Sequence, residues 1–301
     1  MAPVAPRPVI YRMPVHFGAM GGPRQAPDGR RFDWSGAERD VSSVTFVSDP
    51  ARIAALLPPG FRVRNPATVT VDVQRLRKLP WLAGRGYNTL GVKFAAEYRS
   101  ASGAVAGSFL AVLWENLADP IISGREELGF NKLYAEIPGP RYVGRSLVHE
   151  AGWLGHRFFE MRIDDLAPAP ASAAPAPALP MLHYKYIPRT QDWGEADAAY
   201  ATMTPVNHAA SVHDRRTGIG SVRFLKSDWE QLPTLFHIVN LLADLPVLDV
   251  IAAGTVRMIG ATDLGEQTIL PAAAGEENAA APNAAGGDAR RIDRSTSRGI
   301  V

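Results

Sequence analysis

Residues 67–76 read ATVTVDVQRL, and the fold is decided by how this run is read. Val69, Val71 and Val73 alternate with Thr70, Asp72 and Gln74, the period-two pattern of a strand with one apolar and one polar face. Downstream, NTLGVKFAAEYRS (88–100) and GAVAGSFLAVLWEN (103–116) are strand-like runs joined by a Ser/Gly turn, which makes a hairpin. Upstream, SSVTFVSD (42–49) is a short β-branched strand. In PARIAALLPPGF (50–61), Asp49 and Pro50 open a short helix that Pro58-Pro59 ends. Further strands are expected at SLVHEAGWLG (146–155), HRFFEMRIDDL (156–166), MLHYKYIPR (181–189) and LDVIAAGTVRMIGA (248–261). One clear helix is expected in DWEQLPTLFHIVNLLADLP (228–246), where Leu232, Leu235, Ile238, Val239 and Leu242 recur at helical spacing. The pattern is α+β and β-dominated, a largely antiparallel sheet with a few short helices.

The 301 residues, 46% of them hydrophobic, suffice for one large core. Residues 1–35 read as an irregular lead-in and 36–270 as a single domain. The Ala/Pro run 167–180 reads as an insertion loop and 271–301 as a disordered tail. With 32 Lys and Arg against 30 Asp and Glu, no long-range field favours nucleic acid or an anionic membrane. The absence of cysteine removes disulfides, thiolate nucleophiles and the usual zinc-finger spacings. No stretch reaches the roughly 18 apolar residues needed to span a bilayer, and the proline-broken N-terminus lacks an apolar leader. A cytoplasmic protein is expected.

The common catalytic signatures are missing. His149 and His156 are seven apart in strand-like sequence, not four apart on a helix, so no metal site is expected. There is no GxSxG elbow, and the glycine pairs lack the strand-then-helix setting of a phosphate cradle.

The segment ENLADPIISGREELGFNKLYAEIP (115–138) is different. Its Gly124-Arg125-Glu126 turn, followed at fixed distance by Lys132, resembles the signature of the acetoacetate decarboxylase superfamily. The run ERDVSSVTFVSDPARIAALLPPGF (38–61) is similar to the family's N-terminal arginine, strand and helix, and NLLADLPVLDVI (240–251) to its closing segment. The resemblance covers about residues 38–270. It implies a large curved antiparallel sheet or closed barrel around a small apolar pocket, no cofactor, a homo-oligomer, and a small keto acid as substrate.

In that family the lysine forms an imine with the substrate ketone, and its positive nitrogen accepts the electron pair released when a C–C or C–H bond breaks. Lys132 falls on that position and Arg39 on the arginine expected to hold a carboxylate, with Phe130 and Glu126 nearby in the motif. A free lysine titrates near about 10.4, so the amine needs burial to be neutral at pH 7. Two positions depart from the family. Leu133 stands where a second lysine is expected, and Thr89 where the active-site glutamate is expected. Glu115, Glu126 and Asp72 are the candidate replacements for that carboxylate, and Lys185 in HYKYIP is a rival amine. The resemblance implies a Schiff-base lyase of decarboxylase or aldolase-dehydratase type. The alternatives are a pocket retained for binding without catalysis, and a tailoring enzyme that works without an imine.

Overall fold

The computed structural model describes residues 9–170 and 178–273. Fourteen strands among them form one sheet: β1 (Glu38–Val47), β2 (Phe61–Val63), β3 (Thr68–Arg77), β4 (Tyr87–Ser100), β5 (Gly103–Glu115), β6 (Lys132–Tyr134), β7 (Arg141–Val143), β8 (Ser146–Trp153), β9 (His156–Pro168), β10 (Met181–Arg189), β11 (Asp192–Thr204), β12 (Ser211–Phe224), β13 (Asp249–Ile259) and β14 (Thr268–Ile269). The ladder runs β14-β11-β10-β5-β4-β3-β1-β13-β12-β9-β8-β7, with β2 beside β4 and β6 beside β5.

Alternation assigns the two faces. Val69, Val71 and Val73 of β3, Val44 and Phe46 of β1, and Leu90, Val92 and Phe94 of β4 turn to one side and build the main core. The sheet curls over this core. The Trp114 ring of β5 lies 5.4 Å from that of Phe158 in β9, although five strands separate β5 from β9 along the ladder. A closed barrel is not formed, because the strand ladders end at β14 and β7. One isolated bridge, Glu136↔Gly152, ties the segment after β6 to β8. The sheet is also mixed, since β6 and β10 run parallel to β5. The crossover into β6 is the helix α2 (Ala118–Ser123) continued by one wide π turn, Gly124–Leu128.

The helix α1 (Pro50–Ala54) begins as its sequence dictates, with the Asp49 carboxylate accepting the Ala51 and Arg52 N–H groups. The long helix expected over 228–246 shortens to α3 (Phe236–Ala243). Pro233 has no N–H and disfavours helical geometry at Leu232, so the preceding residues form turns. The apolar stripe is nonetheless buried at Leu232, Leu235, Val239 and Leu242.

β11 and β12 carry weak strand signals of their own, being rich in Ala, Gly, Asp and Arg. Within the stretch 167–180, β9 continues to Pro168, and residues 171–177 lie outside the described part. The C-terminal segment stays packed through Ala273, and the Tyr98 hydroxyl donates to the Pro271 carbonyl at 2.8 Å. Residues 1–8 and 274–301 lie outside the described part, so the expected tail falls there except for 271–273. No described helix is long and apolar enough to cross a membrane.

Candidate active site

The second face of the sheet carries the polar side chains in cross-strand rows. In one row Lys132 (β6) stands beside Leu113 (β5), then Gly91 (β4) and Asp72 (β3). The next holds Glu115, Thr89 and Gln74, and the third Tyr87, Leu76 and Arg39. Lys132, Glu115, Thr89, Tyr87 and Arg39 therefore share one face. A β-bulge between Val92 and Lys93 sets this arrangement. Without the extra residue, the register continued from Lys93↔Leu110 puts Trp114 opposite Thr89 and turns Glu115 into the core.

A cavity of about 140 Å³ opens on this face, lined by Lys132, Arg39, Tyr87, Arg24, Trp34 and Leu264 among others. Its cover includes the N-terminal segment, which is irregular apart from a 3-10 turn, Val15–Phe17, and an isolated bridge, Gly22↔Gln25. Arg12 and Arg24, both buried, converge on the Glu127 carboxylate and anchor that segment to the π turn. The Gln25 side chain pins it internally, donating to the Ile10 and Met20 carbonyls at 2.8 and 2.9 Å.

Lys132 is 7% exposed. Its Nζ lies 2.9 Å from Glu115 Oε1, donates to the Pro120 carbonyl at 2.9 Å and sits 5.4 Å from the Phe130 ring centre. Gly124 makes room for it, because a Cβ there would lie 2.5 Å from Lys132 Cε. The Arg125 guanidinium donates to the Lys132 carbonyl at 2.9 Å and holds the strand end. Burial lowers the Lys132 pKa below the ordinary ammonium value, Glu115 opposes that shift, and the Arg24 charge adds to it. Burial likewise raises Glu115, against the pull of Lys132. Tyr87 is held well above its ordinary value by burial and by the Glu115 charge.

Of the residues singled out in the sequence, Lys132 and Arg39 line the cavity together. Arg39 has no carboxylate partner among the described residues. Its one hydrogen bond is to the Met258 sulfur at 3.4 Å, and burial lowers its pKa while Asp72 opposes. Thr89 is buried beside Glu115, and its hydroxyl has no hydrogen-bond partner among the described residues. Phe130 stacks on His183 at 3.9 Å with its ring under Lys132 Nζ, and neither it nor Thr89 lines the cavity. Glu126 does not line the cavity, and its backbone carbonyl accepts from Lys185 Nζ at 2.5 Å. That contact, with the Tyr200 ring 5.7 Å away, also places Lys185 outside the cavity. Asp72 is engaged with Lys93 at 2.6 Å, which leaves Glu115 as the carboxylate at the amine. Leu133 points the other way, opposite Trp114 and against the main core, so it does not dry the amine's surroundings as Phe130 does. A charge at 133 would not have faced Lys132 from this strand. The cation near the amine is Arg24 instead.

Arg24, Trp34 and Glu127 were not legible as site residues. Arg24 and Trp34 lie in an aperiodic lead-in whose path only tertiary contacts define, and Glu127 looks like any helical surface acid.

A crystal structure of acetoacetate decarboxylase from Legionella pneumophila superimposes with a TM-score of 0.57 at 17% identity, covering 81% of this chain and 92% of that one. An acetoacetate decarboxylase-like enzyme from Sphingomonas wittichii gives 0.58 at 18% identity, with 78% and 92% covered. The enduracididine biosynthesis enzyme MppR, complexed with the condensation product of pyruvate and imidazole 4-carboxaldehyde, gives 0.56 at 16%, with 74% and 84% covered. At these identities the likeness shows the fold. No curated protein matches the sequence. The sequence model of acetoacetate decarboxylase matches residues 12–269, nearly the whole described chain, and the protein belongs to the acetoacetate decarboxylase family.

Proposed function

We propose that the protein is a Schiff-base lyase acting on a small keto acid, with Lys132 as the imine-forming amine. The observation that carries this reading is the placement of Lys132. It is a buried amine on the wall of the cavity, with its pKa lowered, a carboxyl at 2.9 Å and, on the same wall, an arginine without a carboxylate partner among the described residues. The neutral amine adds to the ketone carbon, and Glu115, whose pKa is raised, gives a proton to the oxygen that leaves as water. The iminium nitrogen then takes the electron pair of the bond that breaks, either to a carboxylate leaving as carbon dioxide or to an α-hydrogen. Arg39 holds the substrate carboxylate.

One observation favours the alternative of a pocket that binds without an imine. The Glu115 carboxylate and the Pro120 carbonyl are both acceptors that stabilise an ammonium at Lys132. Borohydride reduction in the presence of pyruvate or acetoacetate separates the two readings. A covalent adduct in the wild type that is absent from Lys132→Ala supports the lyase, and reversible binding without an adduct supports the pocket.

A further inference from the structure

We infer that the cavity takes a diacid, a keto acid whose second anionic group is held by Arg24 and Trp34. This rests on the lyase reading for the ketone, while the anion site itself is argued from charge and unpaired donors.

Five charged side chains line the cavity, and they are not balanced alike. Both acids already hold cations: Glu38 pairs with Arg77 at 3.0 Å and Lys78 at 2.5 Å, and Asp263 with Arg31 at 3.3 Å. Lys132 is matched by Glu115. Arg39 has no carboxylate partner among the described residues, and Arg24 shares the single carboxylate of Glu127 with Arg12. The lining therefore carries two positive charges in excess, one at Arg39 and one at the Arg12–Glu127–Arg24 triad, which suits a dianion better than a monoanion.

The unpaired atoms point to the same chemistry. Arg24 is 7% exposed, and its Nη2 has no hydrogen-bond partner among the described residues, although Nε and Nη1 are engaged by Glu127 and the Asp263 carbonyl. Trp34 also lines the cavity, and its buried Nε1 has no acceptor among the described residues. Both are donors only, and a buried donor left unpaired is costly. A carboxylate has two acceptor oxygens, enough for a guanidinium edge and an indole N–H together. Neither residue bonds to the Lys132 amine, and beyond the Arg24 charge that helps keep the amine neutral, the two donors bear on which substrate is chosen.

The test uses acids without a ketone, so that its outcome is independent of imine formation. The full chain is titrated calorimetrically with the dicarboxylates malonate to adipate and with monocarboxylates of matched length. The inference expects one dicarboxylate to bind about ten-fold or more tightly than its monocarboxylate counterpart. In Arg24→Gln, and in Trp34→Phe, which removes only the indole N–H, that ratio falls to near one. Equal affinity for every matched pair overturns the inference. So does an Arg24→Gln protein that loses both ligand classes equally, since Arg24 would then merely fasten the N-terminal segment. Borohydride trapping with pyruvate is run on the same preparations. An adduct without dicarboxylate preference removes only the second anion site, and the reverse result removes only the imine.

Discussion

Gly124 and Lys132 occupy one space: a Cβ on the glycine would lie 2.5, 2.6 and 2.7 Å from Cε, Cδ and Nζ of the lysine. The glycine of the GRE turn is thus a clearance for the amine. Its backbone is ordinary helix at φ −73°, so no left-handed geometry explains it. In Gly124→Ala the lysine must leave its seat beside Glu115. We expect a stability loss of about 1–3 kcal/mol from overpacking and a trapping rate with pyruvate at least about ten-fold lower, since misplaced groups lose their effective concentration. Urea unfolding and intact-mass kinetics on the same preparation check both, and an unchanged trapping rate contradicts the clearance.

Glu115 stabilises the charged form of Lys132 by charge and hydrogen bond, both of which raise the lysine pKa. In Glu115→Gln that support is gone, and the Lys132 pKa falls further. The sign is definite: the acid limb of the pH–rate profile for borohydride trapping moves to lower pH. The plateau rate falls as well, because a carboxamide cannot deliver the proton. A limb that moves to higher pH would mean that Glu115 acts otherwise.

Much of this fold was legible and much of the site was not, for different reasons. The alternation in 67–76 and the hairpin 88–116 follow from side-chain periodicity, and both recur in β3, β4 and β5. The GRE turn and the spacing to Lys132 are local and survive any change of topology. Glu115 was one of three open carboxylates because its facing depends on a single bulge at Val92/Lys93, which periodicity does not report. The strands β11 and β12 have no apolar alternation to detect. Their neighbours β9, β10 and β13 place them. Arg24 and Trp34 reach the cavity through a segment with little regular structure.

The Arg12–Glu127–Arg24 triad fastens that segment. Glu127→Gln leaves two buried guanidiniums without their carboxylate, a change that costs about 3–5 kcal/mol in buried pairs. The expected readouts are a lower urea midpoint and faster tryptic cleavage within residues 9–37. Cleavage at the wild-type rate contradicts the clasp.

His149 is 4% exposed with neither ring nitrogen hydrogen-bonded among the described residues, and burial lowers its pKa to about 4. His183, stacked on Phe130, is lowered to about 3 by burial first and by the Lys132 and Lys93 charges next. The unfolded chain takes up these protons near pH 6.5 and the folded one does not, so the unfolded state binds more protons and stability falls on acidification. For His149 the loss is about 3 kcal/mol between pH 7 and 4. His149→Leu is expected to flatten the fall in the urea midpoint over that range, and an unchanged slope contradicts the assignment.

Imine formation concerns one nitrogen, Lys132 Nζ, so the most direct measurement locates the covalent bond. The wild-type protein is reduced with borohydride in the presence of pyruvate, digested, and the modified peptide sequenced by mass spectrometry. The added mass is expected on Lys132, with Lys185, whose Nζ is hydrogen-bonded to the Glu126 carbonyl outside the cavity, left unmodified. A modification on Lys185 or another surface lysine, or no adduct from the folded protein with pyruvate, acetoacetate or a keto diacid, contradicts it.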